Sequence, residues 1–391
     1  MSKLYSNTFN PECFPGRIDE VIDRTLADKR LVGAVIKVAI DGVLVYSRAA
    51  GFADREMNRI MREDALFRLA SVTKPIVSTA ALVLVAQGRL HLDDHVDRWL
   101  PEFRPRLQNG EFATLTIRHL MTHTAGLSYR FFQEENGSYQ RAGVSDGMDQ
   151  PGITLEENLR RLASVPLLYT PGTEWKYSIA TDVLGAVIEK VTETPLSEAV
   201  YSLVTKPLGM SDTGFIAADP ERLATAYTND VPEPRPIHDP DSIAFMEGTA
   251  GFQLAPGRAL DGTAYPSGGA GMVGSAGDFL QLLETLRKGG APLLPESMVH
   301  EMTTNQIGDL PMAFWPGRGF GLGITLLKDP AAADTPESPG TWRMGGTYGH
   351  SWFVDPKQRL SVVAFTNTAL EGMSGQFTVD LCEALYDRIK K

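Results

Sequence analysis

The sequence predicts an α+β fold in which one antiparallel sheet is built from strands at both ends of the chain. A helix and a hairpin open the chain, strands and a helix close it, and helical patterns fill the middle. An antiparallel sheet can be covered by helices that come from either end of the chain. We therefore expect an α/β domain from residues 1–70 and 270–391, with a mostly helical domain, residues 71–269, inserted between its two parts.

The first elements are an amphipathic helix and a hairpin. Apolar residues recur from Ile18 to Leu26 at the spacing of one helical face. Two strand-like runs follow, GAVIKVAI and VLVYSRAAGF, and the pair Asp41-Gly42 joins them. An Asp-Gly pair between two apolar runs is a strong hairpin signal, so we expect two paired strands here.

The middle of the chain is predicted to be helical and then irregular. Apolar spacing predicts helices over residues 72–88, 154–164 and 178–192, and Thr116 is placed to cap another helix through IRHLMTH. The proline-rich run VPEPRPIHDP then marks a long irregular segment, residues 229–269.

The last third of the chain returns to strands. A helix is expected from Ser275, followed by strand-like runs in GFGLGITLL, GTWRMGGTYG, HSWFVD and LSVVAFTN. A final helix is predicted to carry Leu381, Cys382, Leu385 and Ile389 on one face. These runs supply the strands that complete the predicted sheet.

Composition narrows the class of protein. The chain has 391 residues, of which 43% are hydrophobic, enough for a sizeable core, and its net charge is −11. Binding to nucleic acid relies on a basic excess, so we expect no nucleic-acid partner. The two cysteines, Cys13 and Cys382, are far apart in sequence and are expected to be free thiols.

The sequence gives no sign of export or of a membrane segment. The N-terminal residues lack the apolar stretch of a signal peptide, and no apolar run approaches the roughly 18 residues that a membrane span needs. We therefore expect a cytoplasmic protein without a membrane partner. The oligomeric state is left open.

The run LFRLASVTKPIV contains the first candidate for chemistry. Pro75 is tolerated in the first turn of a helix, so the helix is expected to begin near Val72, with Ser71 at or next to its N-cap. Lys74 follows three residues later and shares a face with Ser71. Burial lowers the pKa of a lysine, and a neutral amine beside a hydroxyl can act as its general base. The alternative is a serine that caps the helix and a lysine that extends to solvent.

Two further motifs accompany this pair. Tyr177 lies just before a predicted helix, and Gly345 and Gly346 lie in a predicted strand. Glycine weakens a strand and often marks the close approach of a ligand or of another part of the backbone. Tyr177 also admits a simpler interpretation, that of a tyrosine packed at the start of a helix. Asp182, five residues later, is a candidate to orient the groups around Tyr177.

Together these motifs resemble the serine β-lactamase and penicillin-binding-protein group. The order Ser-x-x-Lys, tyrosine and glycine-containing strand is that of the group, and the runs LTIRHLMTHTAGL, YPSGGAGMVGSAGD and YGHSWF fit as well. From about residue 17 to 387 the chain resembles a family VIII carboxylesterase, a branch related to class C β-lactamases. The resemblance implies a serine β-lactamase-like fold.

The resemblance also implies roles for individual residues. Ser71 is the acylated nucleophile, Lys74 and Tyr177 handle its proton, and the backbone N–H groups of Ser71 and Thr347 form the oxyanion hole. A tyrosine beside a lysine ammonium can in addition be shifted toward phenolate. The implied substrate is a small-molecule carboxylic ester, and no metal or cofactor is required. Which of Lys74 and Tyr177 is the first base stays open.

Two departures from the lactamase pattern favour ester hydrolysis. Met344-Gly345-Gly346 replaces Lys-Thr-Gly, and Ile179 stands where the motif that begins at Tyr177 has an asparagine. Groups that would bind a β-lactam are therefore missing. The alternatives are a β-lactamase or peptidase, an acyltransferase with the same machinery, and a catalytically silent ligand-binding relative.

The residues expected to contact substrate are Gly345, Gly346, Tyr129, Trp352 and His350. Aromatic residues near the motifs, among them Phe131, Phe132 and Trp315, are candidates for an apolar acyl pocket, since ligand sites are mostly apolar. His350 either steadies the oxyanion strand or reaches the cleft, and the first alternative is favoured because a base is already present.

Three other patterns are expected to be structural. GVSDG, with Ser145, matches the esterase pattern G-x-S-x-G but lacks the strand before it and the helix after it. GGAGMVG matches a dinucleotide fingerprint but follows no strand, so its glycines are expected to bring backbone close to the cleft. HLDDH lacks the glutamate of a zinc protease motif and is predicted to be a turn.

Overall fold

A computed structural model describes residues 14–386. The strands are β1 (Gly33–Ile40), β2 (Val43–Asp54), β3 (Arg59–Ile60), β4 (Leu66–Arg68), β5 (Asp241–Ile243), β6 (Phe252–Leu254), β7 (Val273–Ser275), β8 (Arg318–Phe320), β9 (Thr325–Leu327), β10 (Trp342–Gly346), β11 (His350–Asp355) and β12 (Leu360–Thr366). The helices are α1 (Phe14–Ala27), α2 (Thr73–Ala86), α3 (Val96–Trp99), α4 (Ile117–Met121), α5 (Ser138–Ala142), α6 (Leu155–Ala163), α7 (Ala180–Thr192), α8 (Leu196–Val200), α9 (Ala276–Arg287), α10 (Glu296–Met302), α11 (Glu371–Ser374) and α12 (Gln376–Tyr386).

One eight-stranded antiparallel sheet joins the two ends of the chain, as predicted. Its strand order is β3-β2-β1-β12-β11-β10-β9-β8, so the N-terminal and C-terminal strands meet at the β1–β12 pair. Asp41 and Gly42 both have positive φ, 51° and 86°, at the hairpin between β1 and β2. Positive φ at both central residues is the geometry of a type I′ hairpin turn, which explains the Asp-Gly pair.

Alternate residues of the central strands pack on opposite sides of the sheet. Ile36 and Val38 of β1 join the apolar faces of α1 and α12, where Ile22 and Leu385 are fully buried. Val35 faces the other way, into the larger core. Side chains of a strand alternate with period two, so a sheet covered on both sides needs apolar residues at successive positions, as in GAVIKVAI. The predicted terminal helices are confirmed; Ile389 lies outside the described residues.

The predicted helices of the middle segment are also found. Thr116 and Ser275 cap α4 and α9 by accepting hydrogen bonds from the backbone N–H groups three residues on. Three details were not foreseen: the hairpin of β5 and β6 within residues 229–269, the helix α10, and the division of GFGLGITLL into β8 and β9. The turn between β8 and β9 contains Gly323 at φ 89°, a conformation that favours glycine.

The proposed domain boundary stays a prediction. The strands β4 and β7 flank residues 71–269 and pair with each other, so the inserted segment begins and ends side by side.

Two further expectations concern the cysteines and membrane-spanning segments. Cys382 is a buried free thiol, and Cys13 lies outside the described residues. Among residues 14–386, no helix is long and apolar enough to span a bilayer.

Candidate active site

Ser71 occupies a short 3-10 turn, Ala70–Val72, directly before α2. The N-cap of α2 is Val72, so the Ser71 hydroxyl does not cap the helix. The turn is tight because Ala70 has a φ of 44°, in the left-handed region that side chains rarely adopt. The Ser71 N–H lies in the first turn, where backbone donors have no partner within the helix. Both its hydroxyl and its N–H are thereby free for other contacts.

Lys74 is completely buried and points at Ser71, as the sequence predicts. Its Nζ lies 3.2 Å from Ser71 Oγ and donates a 2.8 Å hydrogen bond to the Gly269 carbonyl oxygen. The alternative of a lysine that extends to solvent is wrong, because the side chain has no exposed surface. The glycines of GGAGMVG therefore do bring backbone against the cleft, since only a close approach lets the Gly269 carbonyl reach the amine.

Burial also sets the charge state of this amine. Desolvation lowers the pKa of Lys74 below its usual value, while the carboxylates of Asp182 and Asp146 oppose that shift. Burial raises the pKa of Asp182 in turn, so both members of this pair are held closer to their neutral forms. A lysine whose pKa is lowered in this way can take a proton from a hydroxyl near neutral pH.

Tyr177 completes the cluster. Its ring centroid lies 4.7 Å from Lys74 Nζ, and its hydroxyl lies beside the Ser71 side chain. The expectation of a shift toward phenolate is wrong: burial raises the pKa of Tyr177 above its usual value, outweighing the contact with Ser71. Tyr177 is thus a neutral phenol and Lys74 the more basic partner in reach of Ser71.

Two buried aromatic residues stand behind this group. His123 lies with its ring centroid 4.8 Å from that of Tyr177, and its Nδ1 contacts the Ser178 hydroxyl at 3.1 Å. Tyr129 lies 5.5 Å from the Tyr177 ring and stacks on Phe131. His123 was not foreseen, although MTHTAGL was among the runs that carry the family resemblance. Tyr129 supports the cluster from behind.

The double glycine lets β10 pass close to the Ser71 turn. A Cβ on Gly346 would lie 2.4 Å from the Leu69 carbonyl oxygen, and one on Gly345 would lie 2.7 Å from Met373 Cγ. Real side chains do not tolerate such distances. Glycine is thus required by neighbouring protein atoms, and the next residue, Thr347, reaches the cavity that contains Ser71.

That cavity has a volume of about 300 Å³ and is mostly aromatic on one side. Phe131, Phe132 and Trp315 line it, as expected. Phe245 and Phe252 line it as well, and they come from the irregular segment and its unforeseen hairpin. No periodic pattern marks such residues, because their place depends on where a loop folds back.

Tyr129, His350 and Trp352 do not line the cavity, so their prediction as substrate contacts is wrong. The favoured alternative for His350, a structural role, agrees with its contacts. His350 Nε2 lies 2.8 Å from the Arg68 carbonyl oxygen and ties β11 to β4. Burial lowers its pKa to about 4, which leaves the ring neutral. Trp352 is buried in the core against Phe279, with ring centroids 5.4 Å apart.

Ser145 is a structural serine, as expected. Its hydroxyl donates to Asp149 and accepts from the Tyr265 hydroxyl and the Gly147 N–H, both at 3.1 Å. A hydroxyl with one donated and two accepted bonds has no lone pair left for a reaction. It does not line the cavity of Ser71.

Metal ligation receives no support within residues 14–386, where no group of three or more histidine, cysteine or carboxylate side chains could hold an ion. The HLDDH run forms a turn in which the Asp94 carboxylate accepts from the His91 N–H at 3.0 Å.

Comparison with known proteins gives consistent results. The family model described as Beta-lactamase matches residues 18–381. Esterase EstB from Burkholderia gladioli is 52% identical over 373 residues, which cover 95% of each chain. The structure of EstCE1, described as a hydrolase with promiscuous acyltransferase activity, superposes with a TM-score of 0.94 at 46% identity and covers 96% of this chain and 99% of that one.

A more distant structure shares the fold alone. Simvastatin synthase from Aspergillus terreus has a TM-score of 0.74 at 23% identity, over 98% of this chain and 99% of its own. The predicted serine β-lactamase-like fold is therefore confirmed. With its Ser-x-x-Lys pair, tyrosine and glycine strand assembled around one cavity, the chain belongs to the beta-lactamase family, in the family VIII carboxylesterase branch that its motifs indicate.

Proposed function

We propose that the protein hydrolyses carboxylic esters of short to medium acyl length through an acyl-enzyme at Ser71. The observation that carries the proposal is the cluster in which Lys74 Nζ lies 3.2 Å from Ser71 Oγ and Tyr177 lines the same cavity as Ser71. A nucleophile in contact with a base of lowered pKa is the arrangement that acyl transfer needs. The relative EstB, named an esterase, supports the same class of reaction.

Acylation begins with attack of Ser71 Oγ on the ester carbonyl carbon. The hydroxyl proton passes to Lys74 Nζ, which is the better acceptor because Tyr177 is held as a neutral phenol. The negative oxygen of the tetrahedral intermediate is assigned to the N–H groups of Ser71 and Thr347, donors that need no reorganisation during the reaction.

The leaving alcohol is released when its carbon–oxygen bond breaks. Tyr177 gives its proton to the departing alkoxide, and the Lys74 ammonium returns a proton to Tyr177. Water then attacks the acyl carbon and gives a proton to the same groups. They return a proton to Ser71 Oγ as its bond to the acyl carbon breaks, and the acid is released. Proton transfer by positioned groups of this kind contributes about 10²–10⁴-fold to the rate.

The test is the ratio of turnover on p-nitrophenyl butyrate to turnover on nitrocefin, with Ser71→Ala beside the wild type. We expect a high ratio and the loss of both activities in Ser71→Ala, because Met344 and Ile179 leave the β-lactam side chain without its usual partners. Ser145→Ala is the matched serine control and should stay active. A ratio near or below one would contradict the ester assignment, and equal loss in both serine variants would contradict the role of Ser71.

Transfer of the acyl group to an alcohol is a second candidate activity. The similarity to EstCE1, whose description includes promiscuous acyltransferase activity, supports it, as does the aromatic wall of the cavity. An apolar wall favours an organic acceptor over water. Ester exchange between p-nitrophenyl butyrate and added 1-propanol would be measured by gas chromatography. A product that is butyric acid alone, at every propanol concentration, would rule this activity out.

A further inference from the structure

The active-site cavity has a cationic side opposite its aromatic wall. Arg318 and Arg343 line the same cavity as Ser71, together with Thr325 and Thr378. The missing lysine of the Lys-Thr-Gly pattern, at Met344, suggests a site without positive charge, yet two arginines line it. Within this acidic chain the two arginines make a local positive surface.

Among residues 14–386, Glu337 is the one carboxylate recorded in an ion pair with these two arginines. Glu337 Oε2 lies 3.1 Å from Arg343 Nη1 and 3.6 Å from Arg318 Nη2, and it also accepts a 2.9 Å hydrogen bond from Thr335 Oγ1. The Glu337 side chain has no exposed surface and does not line the cavity. Two positive charges against one negative charge leave an excess of one positive charge beside the cavity.

The donors of the pair are not all used by protein groups. Arg318 Nη1 is buried and has no hydrogen-bond partner among the described residues, and the Arg343 side chain, which lines the cavity, is 23% exposed. Burial lowers the pKa of Arg318 to about 10, and the charge of Arg343 adds to that effect. Two arginines that share one carboxylate are stabilised by an added anion. A guanidinium group binds a carboxylate in a bidentate geometry.

Resting on the proposed ester hydrolysis, we propose that Arg318 and Arg343 bind a carboxylate carried by the substrate, so that the preferred esters are monoesters of dicarboxylic acids. Arg343 lies in β10, and Thr347 follows the end of that strand four residues later. Four residues correspond to roughly 13 Å along a strand. An extended diacid of moderate length would place its ester carbonyl at Thr347 and its free carboxylate near the arginines.

The test compares monoethyl adipate with ethyl hexanoate, a neutral ester of the same chain length, by measuring kcat/KM for each. We expect the wild type to prefer the anionic ester, and we expect Arg343→Gln to lower the anionic-to-neutral ratio at least tenfold while ethyl hexanoate is still hydrolysed. Arg343→Lys, which keeps the charge without the planar fork, should lose less. Arg287→Gln is the matched control, because Arg287 is also a buried arginine paired with a glutamate, Glu284, outside the cavity.

The neutral ester separates the two proposals. Wild-type preference for ethyl hexanoate, or an unchanged ratio in Arg343→Gln, overturns the carboxylate site and leaves the esterase proposal in place. Failure of the wild type to hydrolyse either ester contradicts the esterase proposal itself. The wild-type ratio decides the question even if the arginine variants do not fold.

Discussion

Burial of a single amine gives the site its basic group. Lys74 has no exposed surface, and the only polar contacts recorded for its Nζ in the described chain are Ser71 Oγ and the Gly269 carbonyl oxygen. An ammonium there would lose its hydration without a direct ion pair, since the Asp182 and Asp146 carboxylates act on it only at longer range. The cost of burying the charge is what turns an ordinary lysine into a base.

The first prediction concerns pH. Burial lowers the pKa of Lys74 to about 7, and the ammonium that forms below this value cannot accept the Ser71 proton. kcat/KM for p-nitrophenyl butyrate should therefore fall about tenfold per pH unit below this value. Asp182→Asn should move this acid limb to lower pH, because the Asp182 carboxylate raises the pKa of Lys74. A wild-type profile that stays flat from pH 5 to pH 8 would contradict the role of Lys74 as the base.

A second prediction separates two tyrosines that lie on either side of the same amine. The ring centroids of Tyr177 and Tyr129 lie 4.7 and 5.2 Å from Lys74 Nζ, but of the two only Tyr177 lines the cavity of Ser71. Tyr177→Phe should lower kcat by about 10²–10⁴-fold, the usual contribution of a positioned acid. Tyr129→Phe should keep kcat within a few-fold and should not lower the melting temperature, because the Tyr129 hydroxyl is buried without a partner in residues 14–386.

Steady-state kinetics and thermal melts of the two variants would be measured side by side. Equal losses of kcat would show that the aromatic packing, and not the Tyr177 hydroxyl, is what the reaction requires.

At the scale of elements, the site depends on how closely β10 approaches the turn that carries Ser71. Gly346 touches the Leu69 carbonyl, and Thr347 directly follows it. The two N–H groups assigned to the oxyanion thus belong to elements separated by more than two hundred residues. Their spacing is fixed by a contact between backbones that any Cβ would open.

The third prediction tests this contact with Gly346→Ala. The added Cβ would lie 2.4 Å from the Leu69 carbonyl oxygen, so β10 or the turn must move and the oxyanion donors separate. We expect kcat to fall at least 10²-fold, the usual effect of losing one such donor, in protein that still folds. Gly277→Ala is the control, because its Cβ would meet no atom closer than 3.9 Å. Unchanged kcat in folded Gly346→Ala would contradict the assignment of Thr347.

Elements with regular apolar spacing could be predicted from the sequence, and residues placed by loops could not. Ser71 and Lys74 share a helical face, so their contact follows from local geometry. The positions of Phe245 and Phe252 depend on a hairpin inside a proline-rich loop, where no periodicity guides prediction. His350 and Trp352 were assigned to the cleft by their nearness to Gly346 in sequence, but the bond of His350 to the Arg68 carbonyl and the packing of Trp352 on Phe279 hold them in the core.

At the scale of the whole molecule, the layer of terminal helices and the catalytic cluster lie on opposite sides of the sheet. The layer of α1 and α12 packs on the side that includes Ile36 and Val38, while the cluster around Ser71 lies with the larger core. Changes in the terminal layer should therefore alter stability with little effect on the site.

The fourth prediction is a test of this separation. Leu385→Ala removes a fully buried side chain of α12 and should lower the free energy of unfolding by about 2–5 kcal/mol, the usual range for such a cavity. KM and kcat, measured well below the melting temperature, should match the wild type. The measurement is urea unfolding followed by circular dichroism, with kinetics on the same preparation. A change in KM of more than a few-fold would mean that the two layers are coupled.

The pairing of β1 with β12 has a consequence for synthesis on the ribosome. During translation, β1 and Ser71 emerge from the ribosome early. The Gly269 carbonyl that holds Lys74 and the Thr347 amide emerge only after most of the polypeptide has been translated. Until β12 is made, the edge of β1 that pairs with it has no partner strand. Until Gly269 and Thr347 are made, the site of Ser71 is incomplete. We therefore expect that a chain stalled on the ribosome before the final strands cannot be acylated by an ester at Ser71, and that reactivity appears only when those strands have been made.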